Sequence, residues 1–462
     1  MPFSTLGLSR ALSSPLAKLG YKTPTPVQAQ SIPIVLTGRD LLAKAQTGTG
    51  KTAAFGLPMI DRLLVRGGSP AAPRRPRGLV LVPTRELALQ VHQSLTAYGV
   101  PANLRVAAIF GGVSIRPQIQ ALQRGTDIVV ATPGRLLDHM EQRTIDLSAV
   151  EILVLDEADR MLDMGFLPPL RRILVTVPRK RQTLLFSATF SKEVVRLSSD
   201  FTHDPGRVDV SEGQTVASTV THRVHPVSEA RKGDLLTHVL TQEPVGQALV
   251  FCRTKRGSNR VGQHLELAGV KAAVIHGNKS QGARTRALAD FKAGRVLVLV
   301  ATDIAARGLD IVQLPLVVNF DLPLVAEDYI HRVGRTGRAG LTGRAVSLVS
   351  PGDRDLLRDI QKLLADPIEQ VLIEGFPVTA HVPHAPDTHR RQPGRGPRPS
   401  NRPNARSKSP SSPRAASSSP RAASSSPRAA SSRPGGGRPA NSRPHGSRPA
   451  ARGRGRSRGP AR

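Results

Sequence analysis

Short runs of apolar residues alternate with more polar, helix-like segments along much of the chain. The runs are rich in valine, leucine and isoleucine, as at residues 78–82 and 296–300. A membrane span needs about 20 apolar residues, so these runs instead predict buried strands of a parallel sheet. Six of them precede residue 205, at 40–45, 78–82, 105–110, 127–131, 151–155 and 182–186. Because each run is followed by a helical or loop segment, the pattern predicts repeated βα units of the α/β class.

The alternation stops and then restarts, which predicts two domains. Residues 205–221 are richer in Gly, Ser, Thr and Asp and are typical of an interdomain linker. Further runs follow at 248–252, 272–276, 296–301, 316–319 and 344–349. We expect two doubly wound α/β domains at residues 1–207 and 221–375, with a linker at 208–220. Pro168 and Pro169 should bend or break a helix inside the first domain.

The periodicity ends near residue 376, and residues 376–462 are expected to form a disordered basic tail rich in Arg, Pro, Ser and Gly. A repeat of the type Ser-Pro-Arg-Ala-Ala begins at Ser412, Ser419 and Ser426. A coiled coil is excluded because each repeat contains proline and lacks apolar a and d positions. From residue 388 onward there is no Leu, Ile, Val or Phe, so the segment cannot offset its own ordering entropy.

The chain is strongly basic, with 66 Lys and Arg against 34 Asp and Glu and a net charge of +32. Residues 388–462 carry 19 of the basic residues and no acidic residue. This distribution favours a polyanionic partner, although a solvated tail that only aids solubility is the alternative. A single cysteine, Cys252, excludes an intrachain disulfide and a Cys-based zinc site. No basic and then apolar leader is visible at residues 1–20, so we expect a cytoplasmic protein without a membrane partner.

A glycine-rich loop follows the first predicted strand and opens a helix. It consists of Ala45, Gln46, Thr47, Gly48, Thr49, Gly50, Lys51 and Thr52. Gly48 and Gly50 let backbone N–H groups approach phosphate oxygens closely, and the positive end of the helix adds to the attraction. Lys51 would neutralise the β- and γ-phosphates, and the Thr52 hydroxyl would ligate Mg²⁺. A plain glycine turn is disfavoured because the strand–loop–helix context is present.

Two carboxylates lie at the end of another predicted strand, 151–155. Asp156 and Glu157 follow it directly, at the carboxyl edge where parallel sheets place ligands. Asp156 is suited to hold Mg²⁺, directly or through water, and Glu157 is a candidate base for the attacking water. Alone, such a pair is often a helix cap, but together with Lys51 and Thr52 it predicts hydrolysis of ATP.

At these residues the sequence resembles the DEAD-box RNA helicase family, over about residues 3–364. Residues 20–28 resemble the adenine-binding Q motif of that family. The resemblance implies two RecA-like parallel-sheet domains in tandem, the first of which binds ATP. It also implies that Gln28 hydrogen-bonds adenine, because an amide satisfies a donor and an acceptor together, and that Phe3 and Tyr21 pack nearby.

Further matches in the first domain imply contacts to the RNA backbone. They are Pro83, Thr84, Arg85, Gly111, Gly112, Thr132, Pro133, Gly134 and Arg135. Arginine, threonine and exposed glycine amides suit phosphate and sugar, which carry affinity without sequence information. By resemblance, Ser187, Ala188 and Thr189 couple hydrolysis to unwinding, and Asp159 is their partner in coupling, not a catalyst. A helix N-cap is the alternative role for this Ser/Thr segment.

The second domain resembles the family as well. The implied RNA contacts are Arg253, Thr254, Gln281, Arg284 and Thr302. Gly308 and Asp310 would meet ATP, Asp310 at its ribose. His331, Arg335 and Arg338 share an Arg-rich segment, and both arginines would reach the γ-phosphate as arginine fingers. A solvated basic face is disfavoured by this spacing.

The resemblance implies an ATP-dependent RNA helicase that unwinds or remodels RNA locally and non-processively, with ATP and Mg²⁺ as cofactors. Residues 276–292 and the basic tail look typical of the bacterial RhlE-like subgroup. An ATP-gated RNA clamp or annealing chaperone stays open, because a cationic tail favours annealing. A DNA helicase is disfavoured by the Q motif and the RNA motifs, and a passive RNA binder by Lys51, Glu157 and Arg338. The partners expected in the cell are ribosomal or RNA-decay complexes, and the sequence does not choose between them.

Overall fold

Strands and helices alternate along the chain, as the apolar runs predicted. The structure, a computed structural model, describes residues 2–46, 48–65, 75–99, 102–210, 220–242, 246–306, 309, 311, 313–337, 342–364 and 367–377. The strands are β1 (Leu41–Lys44), β2 (Gly78–Leu81), β3 (Val106–Ile109), β4 (Ile128–Ala131), β5 (Ile152–Leu155), β6 (Gln182–Ser187), β7 (Gly206–Asp209), β8 (Val220–Pro226), β9 (Ala248–Phe251), β10 (Ala272–Ile275), β11 (Val298–Ala301), β12 (Leu316–Asn319), β13 (Gly343–Val349) and β14 (Glu369–Gln370). The helices are α1 (Ser13–Lys18), α2 (Pro26–Thr37), α3 (Lys51–Val65), α4 (Arg85–Gly99), α5 (Arg116–Gln123), α6 (Pro133–Glu141), α7 (Ala158–Asp163), α8 (Leu167–Leu174), α9 (Lys192–Phe201), α10 (Lys232–Gln242), α11 (Lys255–Leu267), α12 (Gln281–Lys292), α13 (Asp303–Ala306), α14 (Ala326–Val333) and α15 (Arg354–Leu363).

Two parallel sheets form the framework of the molecule. Within the described residues each sheet has seven strands, in the order β3-β4-β2-β5-β6-β1-β7 and β10-β11-β9-β12-β13-β8-β14. The loops that follow β1, β5 and β6 leave the same edge of the first sheet, because all of its strand pairs are parallel. The fold therefore brings the glycine-rich loop and Asp156 to one edge, as the sequence predicted.

Both faces of each sheet are buried, which is why the strands appear as continuous apolar runs. In β2 and the residue after it, Leu79 and Leu81 point into one apolar core, and Val80 and Val82 into the core on the other face. In β9 the same alternation sends Val250 and Phe251 to opposite cores. This period of two with apolar side chains on both faces is typical of a sheet covered by helices on each side.

Strands extend into both ends of the predicted linker at 208–220. β7 continues to Asp209, two residues past the predicted end of the first domain, and β8 begins at Val220. β7, β8 and β14 were not predicted as strands, so that part of the sequence interpretation was wrong. Residues 211–219, most of the predicted linker, lie outside the described residues, as does the predicted tail beyond Pro377.

Pro168 and Pro169 lie in the first turn of α8, and the break in the helical path precedes them, at Gly165, which has a φ of 75°. Proline is tolerated in the first turn because the N–H it lacks would have no partner there. No helix in the described part of the chain is long and apolar enough to cross a membrane.

Candidate active site and nucleic-acid interface

The glycine-rich loop lies between β1 and α3. Gly48 and Gly50 have φ angles of 85° and 92°, in the left-handed region that glycine adopts without strain. α3 begins at Lys51, so the loop delivers its amides to the positive end of a helix of 15 residues. Thr47 lies outside the described residues. The backbone conformation and the helix together favour binding of phosphate.

Lys51 and Asp156 form the buried centre of the site. The Lys51 ammonium donates to the Ala45 carbonyl at 3.1 Å and lies 3.9 Å from Asp156 Oδ1. The two residues are only 6% and 2% exposed. Burial raises the pKa of Asp156 to about 6, against the opposing effect of Lys51. A lysine and a carboxylate held this way suit phosphate and a divalent cation, respectively.

Glu157, the predicted base, caps α7 with its backbone in the left-handed region, at φ 55°. Its carboxylate accepts from Arg160 Nη1 at 2.9 Å, and both side chains are almost completely buried. Burial alone would raise the pKa of Glu157, but Arg160, Lys51 and Arg335 together lower it. The base is therefore ionised, which its predicted role requires. Arg160 was not predicted from the sequence, although its i,i+3 spacing from Glu157 is visible there.

Asp159 links α7 to the end of β6. One of its carboxylate oxygens accepts from the N–H groups of Ala188 and Thr189, at 3.0 and 2.8 Å, and from the Thr189 hydroxyl at 3.1 Å. Ser187 joins the glycine-rich loop as well, since its carbonyl accepts from Ala45 N at 2.9 Å. Ser191 caps α9, and the Ser187 hydroxyl accepts from the Asp159 N–H in the first turn of α7, at 3.3 Å. The structure thus brings together the four residues predicted to couple hydrolysis to unwinding.

Gln28, predicted to recognise adenine, contacts the glycine-rich loop directly. Its Nε2 donates to the Gly50 carbonyl at 3.1 Å, and its Oε1 accepts from Thr25 N at 2.9 Å. The Phe3 and Tyr21 rings meet edge to face, with centroids 5.5 Å apart. The Nε2 and the Oε1 of Gln28 each keep one further hydrogen-bonding position, which suits the two polar atoms on the edge of adenine.

The predicted RNA residues of the first sheet cluster around two loops. Gly112 has a φ of 77°, and a Cβ at this position would overlap the Arg85 guanidinium. Arg135 donates from both terminal nitrogens to the Val113 carbonyl, at 3.2 and 3.1 Å, and its side chain is 12% exposed. The Thr84 hydroxyl accepts from Leu87 N at 3.2 Å, and Thr84 directly precedes α4. Gly111 belongs to the loop after β3, Thr132 caps α6, and Pro133 and Gly134 are the first residues of that helix, whereas Pro83 precedes Thr84 directly.

Gln281 and Arg284, predicted to bind RNA, both contact Glu86. Gln281 Nε2 donates to Glu86 Oε1, and Arg284 Nη2 to Glu86 Oε2, both at 2.8 Å. All three side chains are buried. The contact joins α4, which follows β2 of the first sheet, to α12, which follows β10 of the second. Glu86 was missed because nothing in the sequence near it points to a partner almost 200 positions away.

The other predicted RNA residues of the second sheet lie at strand ends. Arg253 follows β9 and donates to the Leu322 carbonyl and to Asp353 Oδ1, both at 3.3 Å. Thr254 caps α11 by accepting from Gly257 N at 2.9 Å. Thr302, directly after β11, is 8% exposed. Their role in binding RNA stays a prediction.

The Arg-rich segment begins on α14 and approaches the first sheet. Arg335 is 2% exposed, donates to the Leu309 carbonyl at 2.7 Å and lowers the pKa of Glu157. Arg332, which was not predicted, donates twice to Asp303, at 2.6 and 2.7 Å. His331 lines the same cleft as Arg160 and Arg335. Gly308, Asp310 and Arg338 lie outside the described residues.

The matches to known proteins agree with this geometry. Residues 25–197 match the DEAD/DEAH box helicase family, and residues 231–340 match the helicase conserved C-terminal domain. The DEAD-box ATP-dependent RNA helicase CshA of Bacillus licheniformis is 44% identical over 360 residues, which cover 78% of this chain and 73% of that protein. The chain belongs to the DEAD-box ATP-dependent RNA helicases. CshA of Geobacillus kaustophilus is 42% identical, and the match covers 80% of this helicase and 78% of that protein.

A solved structure supports the same assignment. S. cerevisiae Dbp5 bound to RNA and ADP BeF3 is 32% identical to this helicase, with a TM-score of 0.70, and the match covers 80% of this chain and 95% of that one. The family, the two RecA-like α/β domains and the ATP-driven activity on RNA, all implied by the sequence, are confirmed. The roles of individual residues stay predictions.

Proposed function

We propose that this helicase hydrolyses ATP at Glu157 and uses the cycle to open RNA duplexes locally and non-processively. The observation that carries the proposal is the convergence of charged groups from both sheets on one carboxylate. Glu157 comes from the end of the first sheet, and Arg335 from the second. A site whose parts come from two domains is complete only when the domains are together, so ATP and RNA can each favour that arrangement.

The residues present divide the chemistry between them. The amides of the glycine-rich loop and the Lys51 ammonium would hold the phosphates, and the ionised Glu157 would take a proton from the attacking water. Arg335 and Arg338 would stabilise the charge that grows on the γ-phosphate. Elsewhere an arginine in this role contributes about 10³–10⁵ in rate. Asp159, tied to Ser187 and Thr189, would transmit the state of the site to the RNA loops.

Mg²⁺ is the metal that these donors fit. Thr52 and Asp156 would hold it, and the chemistry it would supply there is positive charge that neutralises the phosphates. Mg²⁺ is usually bound through one or two carboxylates together with substrate phosphates. The described residues contain no group of three or more His, Cys, Asp or Glu side chains able to hold a metal. The buried Asp156 carboxylate beside the phosphate loop suits a Mg²⁺ site of this kind, in which substrate phosphates supply further ligands.

The core of the protein would contact the backbone of RNA and not its bases. The loops at Gly111 and Gly112 and at Thr132 and Gly134 offer amides and hydroxyls, which suit phosphates and 2′-hydroxyls. We propose that binding by the core is independent of sequence and that the basic tail adds nonspecific contacts. The assignment to the RhlE-like subgroup, and action in ribosome assembly or RNA decay, are proposals as well; the relatives compared above carry the name CshA.

A strand-displacement assay tests the proposal. The full chain should separate a short RNA duplex in the presence of ATP and fail with a duplex several helical turns long. It should also fail on a DNA duplex of the same length. ATP-dependent binding without displacement would favour the alternative, an RNA clamp. Faster annealing of two strands, lost when the tail is removed, would favour the annealing chaperone.

A further inference from the structure

One side chain, Gln118 on α5, holds the glycine loop of the candidate RNA interface. Its Nε2 donates to the Phe110 carbonyl at 2.9 Å, and Phe110 directly precedes Gly111 and Gly112. Gln118 is only 8% exposed, and the bond itself is buried. A buried carbonyl that loses its donor costs about 1–3 kcal/mol, so this bond fixes the start of the loop.

The same amide also reaches the second RNA loop. Gln118 Oε1 accepts from His139 Nε2 at 3.1 Å and lies 3.5 Å from Arg135 Nη1. Arg135 and His139 both belong to α6, whose first residues are the predicted RNA residues Pro133 and Gly134. Since Arg135 also donates to the Val113 carbonyl, the two loops are tied at both ends of the glycine pair.

The donors and acceptors of this network fix the orientation of the Gln118 amide. Gln118 must present its NH₂ group to the Phe110 carbonyl, so its oxygen faces His139 and Arg135. His139 therefore carries its proton on Nε2, and the Thr144 hydroxyl lies 2.7 Å from its Nδ1 and 3.1 Å from its carbonyl oxygen. The ring is fully buried, and burial, together with the nearby Arg135, lowers the pKa of His139, which keeps it neutral. A network whose buried polar groups are all satisfied is rigid.

We propose that Gln118 and His139 are positioning residues for RNA binding, which hold the glycine loop and the start of α6 at a fixed spacing. The proposal rests on the function proposed above, because it takes these two loops as the RNA interface. Neither side chain touches RNA in this account. Their contribution is preorganisation, because a loop that is already ordered loses less entropy when it binds.

Gln182 provides a matched control. It is buried to a similar degree, at 5% exposed, and lies in the same sheet domain. Its Nε2 also donates to backbone carbonyls, those of Val35 and Arg39, at 2.9 and 2.6 Å. It begins β6, at the opposite end of that strand from Ser187, and so about 17 Å from the site at about 3.3 Å per residue. Substitution of Gln182 therefore reports the general cost of losing a buried amide.

The test compares Gln118→Met with Gln182→Met in the full chain. Both variants should unfold at lower temperature. Only Gln118→Met should raise the KM for RNA in RNA-stimulated ATP hydrolysis, and the Kd for single-stranded RNA with a non-hydrolysable ATP analogue, by about tenfold, the change that about 1.4 kcal/mol produces. The KM for ATP and kcat at saturating RNA should not change. A purely structural role would not separate the RNA KM from kcat in this way.

Equal RNA affinities of the two variants would overturn the positioning role. If Gln118→Met does not fold, Thr144→Val decides in the same way, because it removes only the hydroxyl that orients His139 and should weaken RNA binding to a smaller extent. An unchanged RNA affinity in Thr144→Val would then overturn the proposal. Absence of RNA-stimulated hydrolysis in the parental chain would be a different outcome, and it would overturn the proposed function itself.

Discussion

At the scale of single residues, Gly112 and Glu157 share a left-handed backbone for different reasons. Gly112, at φ 77°, adopts it freely, whereas Glu157, at φ 55°, bears a cost of roughly 1–2 kcal/mol. Strain of this kind persists where the surroundings hold it, and it is common at active sites. The glycine was recognisable in the sequence as part of a loop motif. The conformation of Glu157 was not, since glutamate gives no local signal for it.

Gly112→Ala should weaken RNA binding. The new Cβ would be strained at this φ and would displace the Arg85 guanidinium, another predicted RNA contact. We expect the Kd for single-stranded RNA to rise while the KM for ATP stays unchanged. Gly352→Ala is the control, because a Cβ there meets no atom within 4 Å. Equal RNA affinity in both variants would contradict the prediction that Gly112 belongs to the RNA interface.

At the scale of elements, the apolar runs located most strands to within one or two residues. They missed β7, β8 and β14, each for a physical reason. β7 exposes every second side chain, so it has no continuous apolar run. β8 mixes Thr221, His222 and Arg223 with its apolar residues, and β14 has only two residues. Strands of this kind are defined by their neighbours in the sheet, which a local pattern does not contain.

Asp353, just before α15, is predicted to stabilise the second domain through a buried ion pair. Its Oδ2 lies 2.8 Å from Lys232 Nζ, and the Lys232 side chain is 1% exposed. Asp353→Asn should lower the free energy of unfolding, by at most about 3–5 kcal/mol, because it leaves the buried Lys232 ammonium with only the exposed Glu229 carboxylate, at 2.9 Å, as its counter-charge. Asp359→Asn, which breaks the exposed pair with Lys362, should cost at most about 1 kcal/mol. Urea unfolding of both variants measures the difference, and equal losses would contradict the argument.

At the scale of the whole molecule, the individual residues of the site could be predicted from the sequence, but the contacts between them could not. Lys51, Asp156 and Glu157 each belong to a local motif, so each was predicted. Arg160 and Glu86 act through partners that only the fold supplies. The contact of Glu86 with Gln281 and Arg284 is the clearest case, since it connects elements of the two sheets.

Glu86→Gln should weaken the coupling between ATP and RNA. The substitution removes the charge opposite the buried Arg284 guanidinium, and with it a contact between the two halves of the motor. We expect the gain in RNA affinity caused by an ATP analogue to fall by about fivefold or more, within the usual range of coupling energies. Glu151→Gln is the control, because its pair with Arg77 lies within the first sheet. A control that lost as much coupling would contradict this role.

The basic tail should add RNA affinity without taking part in hydrolysis. Truncation after Leu364, where the resemblance to the family ends, would remove β14 and Phe376, whose ring lies 4.9 Å from the Arg231 guanidinium carbon. Truncation after Pro377 leaves these contacts intact. That variant should bind RNA more weakly, most of all at low salt, since each lost phosphate contact reduces the salt dependence. An RNA Kd equal to that of the full chain at every salt concentration would contradict the role of the tail.

The central claim is that ATP hydrolysis at Glu157 is coupled to the binding and opening of RNA. The most direct test is to measure steady-state ATP hydrolysis with RNA, with DNA of the same sequence, and without nucleic acid. We expect stimulation by RNA and not by DNA. In Glu157→Gln we expect a loss of about 10²–10⁴ in kcat, with ATP-dependent RNA binding retained. Turnover in Glu157→Gln at the parental rate, or equal stimulation by DNA, would contradict the claim.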